Sequence, residues 1–557
     1  MINGCKASLN NGVLTISNGL IEKRIPKVES FETMEYDNCG LSKLGLRVRS
    51  KIENNEYIFD IWEGIPAIEI SGAEELCAPM PTEHVTLRAA RLWTNTDALD
   101  TLVTETEKNL YRGNLSETEG HIFFLDDVVS GGTTVIIARV PDLHTPSLKV
   151  EKRVVKLKNY GYPVMIGYSK TEDAEKLCRE MYKCIFATSG LHAMSNTWGD
   201  RNGRTRVEQE FIKREIDAAA EMGLDIVQID DGWQVGVPDV FDENKFRVFG
   251  DGFWELREDI FPKGMRYLRD YATEKGVQLG LWFAPHSRNL FEHFERDIAI
   301  LKKAYEEWGI RYFKLDMLQL VTDEHCAKMK EFLNAVCALG NDVSVELDVT
   351  ADKRLGYLNS APYGTIFVEN RYTKWANAYP HSTLRNLWQL CKYVPSSKLQ
   401  FELVNPRLNA DCYKENDPLK PSEYDIDYLF AQVMLSNPLF WLETQFVWDE
   451  DKEKLKNIVS LWKKYRSELD VSDIRPICEK PSGTAVTGFV AESEECEHIL
   501  VFREFTELEN ADISFAGAMK CVEMLASNGS PCFEVNEEKL KITFDKKREF
   551  VWLRAKK

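Results

Sequence analysis

Carboxylates recur where short apolar runs end in the middle of this chain. The run DIVQIDDGWQ closes on Asp230 and Asp231, and RYFKLDMLQL carries Lys314 and Asp316 two positions apart, on one face of an extended strand. VSVELDVTADKR places Glu346 and Asp348 in the same relation, with Asp352 and Arg354 just beyond, and IFVENRY ends on Glu369 and Arg371. A single Asp at a strand end is usually an ion-pair partner or a cap for the next helix. Four neighbouring strand ends with acids are another matter, because a buried carboxylate is costly unless it is paired, protonated or put to use. Tryptophans accompany them: Trp198 in SNTWGDRNG, Trp233 after the Asp pair and Trp282 in LGLWFAP. One such Trp is usually core, but three beside polar loops offer flat apolar walls on which a sugar's C–H faces pack while acids and arginines take its hydroxyls. Cleaving a glycosidic bond needs two carboxyl groups, one acting as nucleophile and one as acid. No HxH or HExxH pair joins the acids, and Lys314 beside Asp316 competes with any cation, so this reading assigns no metal and no cofactor.

Eight apolar runs would position these groups: His192–Trp198, Asp225–Asp231, Val277–Pro285, Arg311–Met317, Asp342–Thr350, Gly364–Tyr372, Leu399–Asn405 and Asn437–Glu443. Between most of them lie helix-period segments such as VEQEFIKREIDAAAEMG and EHCAKMKEFLNAVCALG, several ending at Gly as a helix C-cap does. Eight strands close a parallel (β/α)8 TIM barrel, whose active-site loops follow the strands' C-terminal ends. The long step from Asp225 to Val277 leaves room for an extra loop around Gln234 to Asp259, and the short step from Asp342 to Gly364 leaves little room for a helix. An open doubly wound sheet is the alternative, because sequence period alone does not show closure. Before the barrel (186–468), residues 1–185 read as an N-terminal β-sandwich of alternating strands and Gly/Asn/Asp turns; after it, 469–557 read as a small C-terminal β-domain.

Composition narrows the partners. Lys and Arg number 70 against 89 Asp and Glu across 557 residues, and the net charge of −19 repels nucleic-acid phosphates and anionic membranes alike. A small carbohydrate substrate fits; nucleic acid and membrane do not, and a homo-oligomer is compatible. Thirteen cysteines, an odd count with no CxxC pair, indicate reduced packing thiols. The N-terminus lacks a signal-peptide pattern and no apolar run approaches the ~20 residues that span a bilayer, so a cytoplasmic location is expected.

DDGW, GLWF and YFKLD, in this order on strands two, three and four, resemble the α-galactosidase (melibiase) group of glycoside hydrolase family 36. The resemblance implies an N-terminal β-supersandwich, a catalytic barrel and a C-terminal β-domain, and a retaining enzyme with Asp316 as nucleophile. It also implies that Asp230, Asp231 and Lys314 bind sugar hydroxyls. The chain departs from the family pattern in three places. Glu346-Leu347-Asp348-Val349-Thr350-Ala351-Asp352-Lys353-Arg354 keeps the Glu and Arg of E-x-C-S-G-G-G-G-R and replaces the rest, which puts Asp348 and Arg354 near the sugar's C2. GLWFAPH loses an acid of GLWFEPE and gains His286. Glu369 is the counterpart of the strand-six acid/base, with Asp348 and Asp352 as alternatives. The implied activity is exo-cleavage of small α-galactosides. An α-glycosidase of another sugar such as N-acetylgalactosamine, a transglycosylase resembling plant raffinose synthases and a non-catalytic sugar binder are the competing functions.

Overall fold

Along the strand Ile122–Asp127, Ile122 and Phe124 face one way and Phe123 and Leu125 the other, and both sets are buried. A strand with two apolar faces must lie in a middle layer. The structure, a computed structural model, describes residues 4–36, 45–79, 84–97, 99–110, 115–187, 190–199, 206–236, 252–287, 289–514, 521–536 and 539–557. In it Ile122–Asp127 belongs to a nine-stranded antiparallel sheet. Phe123 and Leu125 pack on Leu148, Val150, Val155 and Leu157 of a four-stranded sheet. Ile122 and Phe124 pack with Leu177, Cys178 and Met181 of the helix Ala174–Lys183 and so join the barrel core. A three-stranded sheet, Lys6–Asn10, Val13–Ser17 and Glu22–Ile25, covers the far end through Leu14 and Ile16.

The central strands are Met194–Asn196, Ile226–Ile229, Gln278–Phe283, Tyr312–Leu315, Ser344–Asp348, Thr365–Phe367, Leu399–Leu403 and Asn437–Phe440, barrel strands one to eight. They pair in parallel and in order, and Met194 opposite Leu439 with Ser195 opposite Phe440 closes the ring. Closure excludes the open sheet. Each lies within the corresponding apolar run, shortened because the run's last residues leave the ladder to form the mouth. A Cβ on Gly199 would stand 2.3 Å from the Trp441 carbonyl carbon, so the SNTWGD turn needs glycine to lie against the end of strand eight.

Helices Gln209–Met222, Gly264–Glu274, Phe294–Lys303, Asp323–Cys337, Pro380–Leu390 and Ile426–Val433 surround the barrel. Between strands five and six the chain finds room only for the five-residue helix Gly356–Ser360, as the short spacing requires. Of the expected loop at Gln234 to Asp259, Gln234 bridges Leu256, while 237–251 lie outside the described residues. After the helix Asp449–Val471, five- and three-stranded antiparallel sheets pack face to face, with Phe489, Phe502 and Trp552 turned to the barrel and Val490, Val501 and Leu553 to the smaller sheet. Among the described residues no helix is long and apolar enough to cross a membrane.

Candidate active site

Asp316 follows the last residue of barrel strand four, and its carboxylate keeps 22% of its surface open. Its Oδ2 accepts the indole N–H of Trp282 at 3.1 Å and its Oδ1 accepts the N–H of Met317. Met317 has φ of 58°, so the backbone turns sharply at once and leaves the carboxylate at the strand's tip. Burial by itself pushes this carboxyl's pKa up, but Lys314, Arg354 and the two N–H donors outweigh it and hold Asp316 ionised below the usual carboxylate range. Arg354 stands 3.9 Å from Oδ1, and its buried Nε and Nη1 have no hydrogen-bond partner among the described residues. A guanidinium with spare donors beside an open carboxylate is a place for a polar ligand.

Below lies a polar floor. Lys314 Nζ is 3.0 Å from Asp230 Oδ2, which also accepts Asn196 Nδ2 at 2.7 Å. Asn196 reaches Gln228, and Gln228 donates to Glu346 Oε2 at 2.9 Å. Burial opposes a charge on Lys314, yet Asp230, Asp316, Glu346 and Asp348 together raise its pKa, so it stays an ammonium. The acids divide accordingly. Burial, helped by the charges of Asp230 and Asp348, pushes Glu346 up to about 7 despite Lys314. Burial and then the charge of Asp316 push Asp348 to about 7 as well, although Thr350 donates both its N–H and its hydroxyl to Asp348 Oδ1. One ionised carboxylate next to acids that hold their protons near neutral pH is the division of labour that acid-assisted displacement needs.

Comparison with solved structures decides the architecture. A variant of the GH36 α-galactosidase AgaA of Geobacillus stearothermophilus, solved with 1-deoxygalactonojirimycin, superposes with a TM-score of 0.69 at 13% identity, covering 95% of this chain and 87% of that one. The chain has the GH36 α-galactosidase-like fold. An α-galactosidase of Lactobacillus brevis gives the same TM-score, 0.69, over 96% of this chain and 86% of its own, at 10% identity. The family model Glycoside hydrolase 97 matches residues 190–343, the first four barrel strands. Among curated proteins, α-galactosidase Mel36A of Lactobacillus acidophilus is 36% identical over 111 residues, 20% of this chain and 13% of that protein. The retaining α-galactosidase of Bacteroides thetaiotaomicron is 25% identical over 270 residues, 43% and 37% of the two chains. The chain thus spans well under half the length of these curated relatives.

Within the GH36-like barrel, the expected residues separate. Asp230, Lys314, Asp316, Trp282, Asp348 and Arg354 come together. Trp282 is almost fully enclosed and serves the site through its N–H on Asp316 rather than as a sugar wall. Trp198 is half-buried at the mouth, its indole N–H on the Tyr372 hydroxyl at 2.9 Å. Asp231 accepts Gln234 Nε2, in a turn at Gly232 whose φ of 123° suits only glycine. That turn takes the chain off the strand, and Trp233, expected beside the sugar, is sealed in an aromatic core instead. Its N–H is on the Trp282 carbonyl at 2.9 Å, Trp254 stacks at 5.7 Å and Trp308 meets it edge-on at 5.7 Å. Asp352 is exposed on its loop.

Two further expected residues, Glu369 and Arg371, make their contacts apart from this cluster. Glu369 has no exposed surface, and both its oxygens are taken by one helix, Oε2 by the Thr383 hydroxyl at 2.7 Å and Oε1 by Asn386 Nδ2 at 2.6 Å. Thr383 and Asn386 lie on one face of Pro380–Leu390 and hold the carboxylate against that helix. Arg371 faces the N-terminal domain, donating to the Leu99 carbonyl at 2.9 Å and lying 3.3 Å from Asp100. Sequence reasoning missed Asn196, Gln228, Tyr372 and Trp441; Trp441, directly after strand eight in NPLFWLE, places its ring 5.0 Å from Lys314 Nζ. It also missed Asp97, from another domain, whose carboxylate lies within reach of Asp316's charge. Two groups among the described residues bring metal-ligating atoms within 4.8 Å of one another. In His286, Glu292 and His293 the carboxylate already pairs with His286 at 2.9 Å, and in Glu468, Cys496 and His498 the Arg554 guanidinium sits on the same carboxylate at 2.8 Å.

Proposed function

We propose that this chain is a retaining α-galactosidase acting on small α-galactosides by double displacement. The observation that carries the reading is Asp316: an ionised, partly open carboxylate at the mouth of a GH36-like barrel, oriented by Trp282 and facing the unpartnered donors of Arg354. Asp316 attacks the anomeric carbon while a protonated carboxyl gives its proton to the departing oxygen. Water then reverses the process from the same face the leaving group vacated, so the configuration is retained. Asp230 and Lys314, paired at 3.0 Å, supply an acceptor and a donor for hydroxyls at the pocket floor. Variants of the AgaA enzyme have been solved with raffinose and with stachyose, and the shared fold supports galactosides of that size for this chain. The described cysteines are free thiols, which suits the reducing compartment this reading includes.

A panel of aryl α- and β-glycosides, with the first-formed sugar followed by proton NMR, tests the proposal. Release from the α-galactoside with α-galactose as first product supports it. Equal or greater release from another sugar of the panel, or β-galactose as first product, contradicts it.

A further inference from the structure

The proposed reaction needs a second carboxyl group near Asp316; among the described residues Glu369 is turned to the helix Pro380–Leu390, Glu402 of strand seven accepts the Arg371 N–H, and Asp348 and the N-terminal domain's Asp97 are carboxyls that feel the charge of Asp316. The N-terminal domain reaches over the mouth through the segment after the strand Val85–Leu92. There the Asn95 N–H donates to the Val349 carbonyl at 3.0 Å and the Asp97 N–H to the Thr350 carbonyl at 3.1 Å, the two residues that follow Asp348 in the chain. Asn95 takes φ of 63°, and the Leu99 N–H closes back on the Asn95 carbonyl at 3.1 Å, so Asp97 rides on a tight turn. Arg371 on the Leu99 carbonyl and Arg385 on the Asp100 carbonyl, at 2.9 and 3.2 Å, pin the far side of that turn. At its tip the Asp97 Oδ1 accepts Asn370 Nδ2 at 3.0 Å, which places this carboxyl at the end of strand six, the position vacated by its neighbour Glu369.

We propose that Asp97 of the N-terminal domain is the general acid/base of the barrel's reaction. This inference rests on the glycosidase reading above. The choice between Asp97 and Asp348 follows from depth. In an exo-acting pocket the sugar occupies the floor and the leaving group points to solvent, so the glycosidic oxygen lies between the two. Asp97 is exposed, whereas Asp348 is buried, its Oδ1 accepting hydrogen bonds from both the N–H and the hydroxyl of Thr350, and suits a ring hydroxyl. The charged groups that act on Asp97 are Asp316, Arg371 and Arg354. Partial enclosure first, then the charge of Asp316, raise its pKa, against Asn370 and the two arginines. In the first step Asp97 gives its carboxyl proton to the glycosidic oxygen as the C1–O bond breaks and Asp316 forms an ester with C1, leaving Asp97 a carboxylate. In the second, Asp97 takes a proton from water as the water oxygen bonds to C1 and the ester to Asp316 breaks.

The experiment compares Asp97→Ala, Asp97→Asn, Asp348→Ala and wild type on an unactivated α-galactoside, melibiose, and on an activated aryl α-galactoside, with and without azide. Loss of a general acid lowers kcat/KM on the unactivated substrate by about 10²–10⁴-fold. The activated substrate, which needs no proton, changes by less than about tenfold at the first step, and azide restores turnover as α-galactosyl azide, entering from the face that water uses. Asp97→Asn keeps the Asn370 contact and the turn, so a merely structural Asp97 would tolerate it; the inference requires Asn to lose as much as Ala and the alkaline limb of the kcat/KM profile to disappear. The inference is overturned if Asp97→Asn cleaves the unactivated substrate within tenfold of wild type, or if α-galactosyl azide forms with Asp348→Ala and not with Asp97→Ala. A wild-type chain that cleaves no α-galactoside would instead remove the underlying reading.

Discussion

The ends of barrel strands four and six carry the same chemical group in the same kind of place, an acid just past an apolar strand, and the fold uses them in opposite ways. Asp316 meets an indole N–H, a backbone N–H and two cations while keeping an open edge. Glu369 meets a hydroxyl and an amide on the flanking helix and keeps none. A strand end therefore nominates a residue for chemistry, but what the next helix offers decides whether the side chain turns into the mouth or into the wall. Where the wall takes the acid, another segment has to supply one.

The largest effect that sharpens this contrast is at strand four. Asp316→Gly is expected to lower kcat by on the order of 10⁴-fold or more, as loss of a nucleophile does. Added azide should then give β-galactosyl azide, because it attacks from the vacated side; residual turnover above a few per cent would remove Asp316 from the role. At strand six, Glu369→Gln is expected to leave kcat/KM within about threefold. Its amide oxygen can still accept from Asn386 while its N–H₂ turns to the Thr383 hydroxyl, which accepts as well as donates, so what is lost is the charge assistance of these bonds, about 1 kcal/mol, and the thermal midpoint should fall slightly while activity below it survives. A collapse of activity with an unchanged midpoint would return Glu369 to the chemistry.

The smallest effect is in the floor. Unfolded Asp and Glu titrate near ~4, and folding raises Glu346 and Asp348 to about 7. The folded state therefore keeps protons that the unfolded state releases. The stability these groups contribute is fully present below pH ~4 and is lost as pH rises to about 7. Glu346→Gln, whose amide oxygen can still accept from Gln228, should flatten the fall of the thermal midpoint across that window by a few degrees. An unchanged slope would mean that Glu346 is ionised in the folded protein.

Much of the barrel was legible because parallel strands buried on both faces read as short apolar runs separated by helix-period segments. Lys314 and Asp316 were legible because a period of two puts them on one side. Trp233 was not, since a glycine turn redirects the chain between Asp231 and the indole and no periodicity survives a φ of 123°. Glu369 misled because its partners, Thr383 and Asn386, are ordinary helix residues with no motif of their own. Asp97 could not be found from local pattern at all. It acts across a domain boundary, and WTNTDALD reads as a plain surface turn until Val349, Thr350 and Asn370 are seen beneath it.

The central claim is that Asp316 forms a covalent bond to the sugar, and the most direct measurement is to trap that bond. The protein would be incubated with an activated fluorinated α-galactoside that slows hydrolysis of the intermediate, digested at low pH and sequenced by tandem mass spectrometry. The account predicts one galactosyl-type adduct, on Asp316 in the peptide containing YFKLDMLQL. An adduct on Asp230, Glu346, Asp348 or Glu369, or turnover of an ordinary α-galactoside with no adduct at any carboxylate, would contradict it.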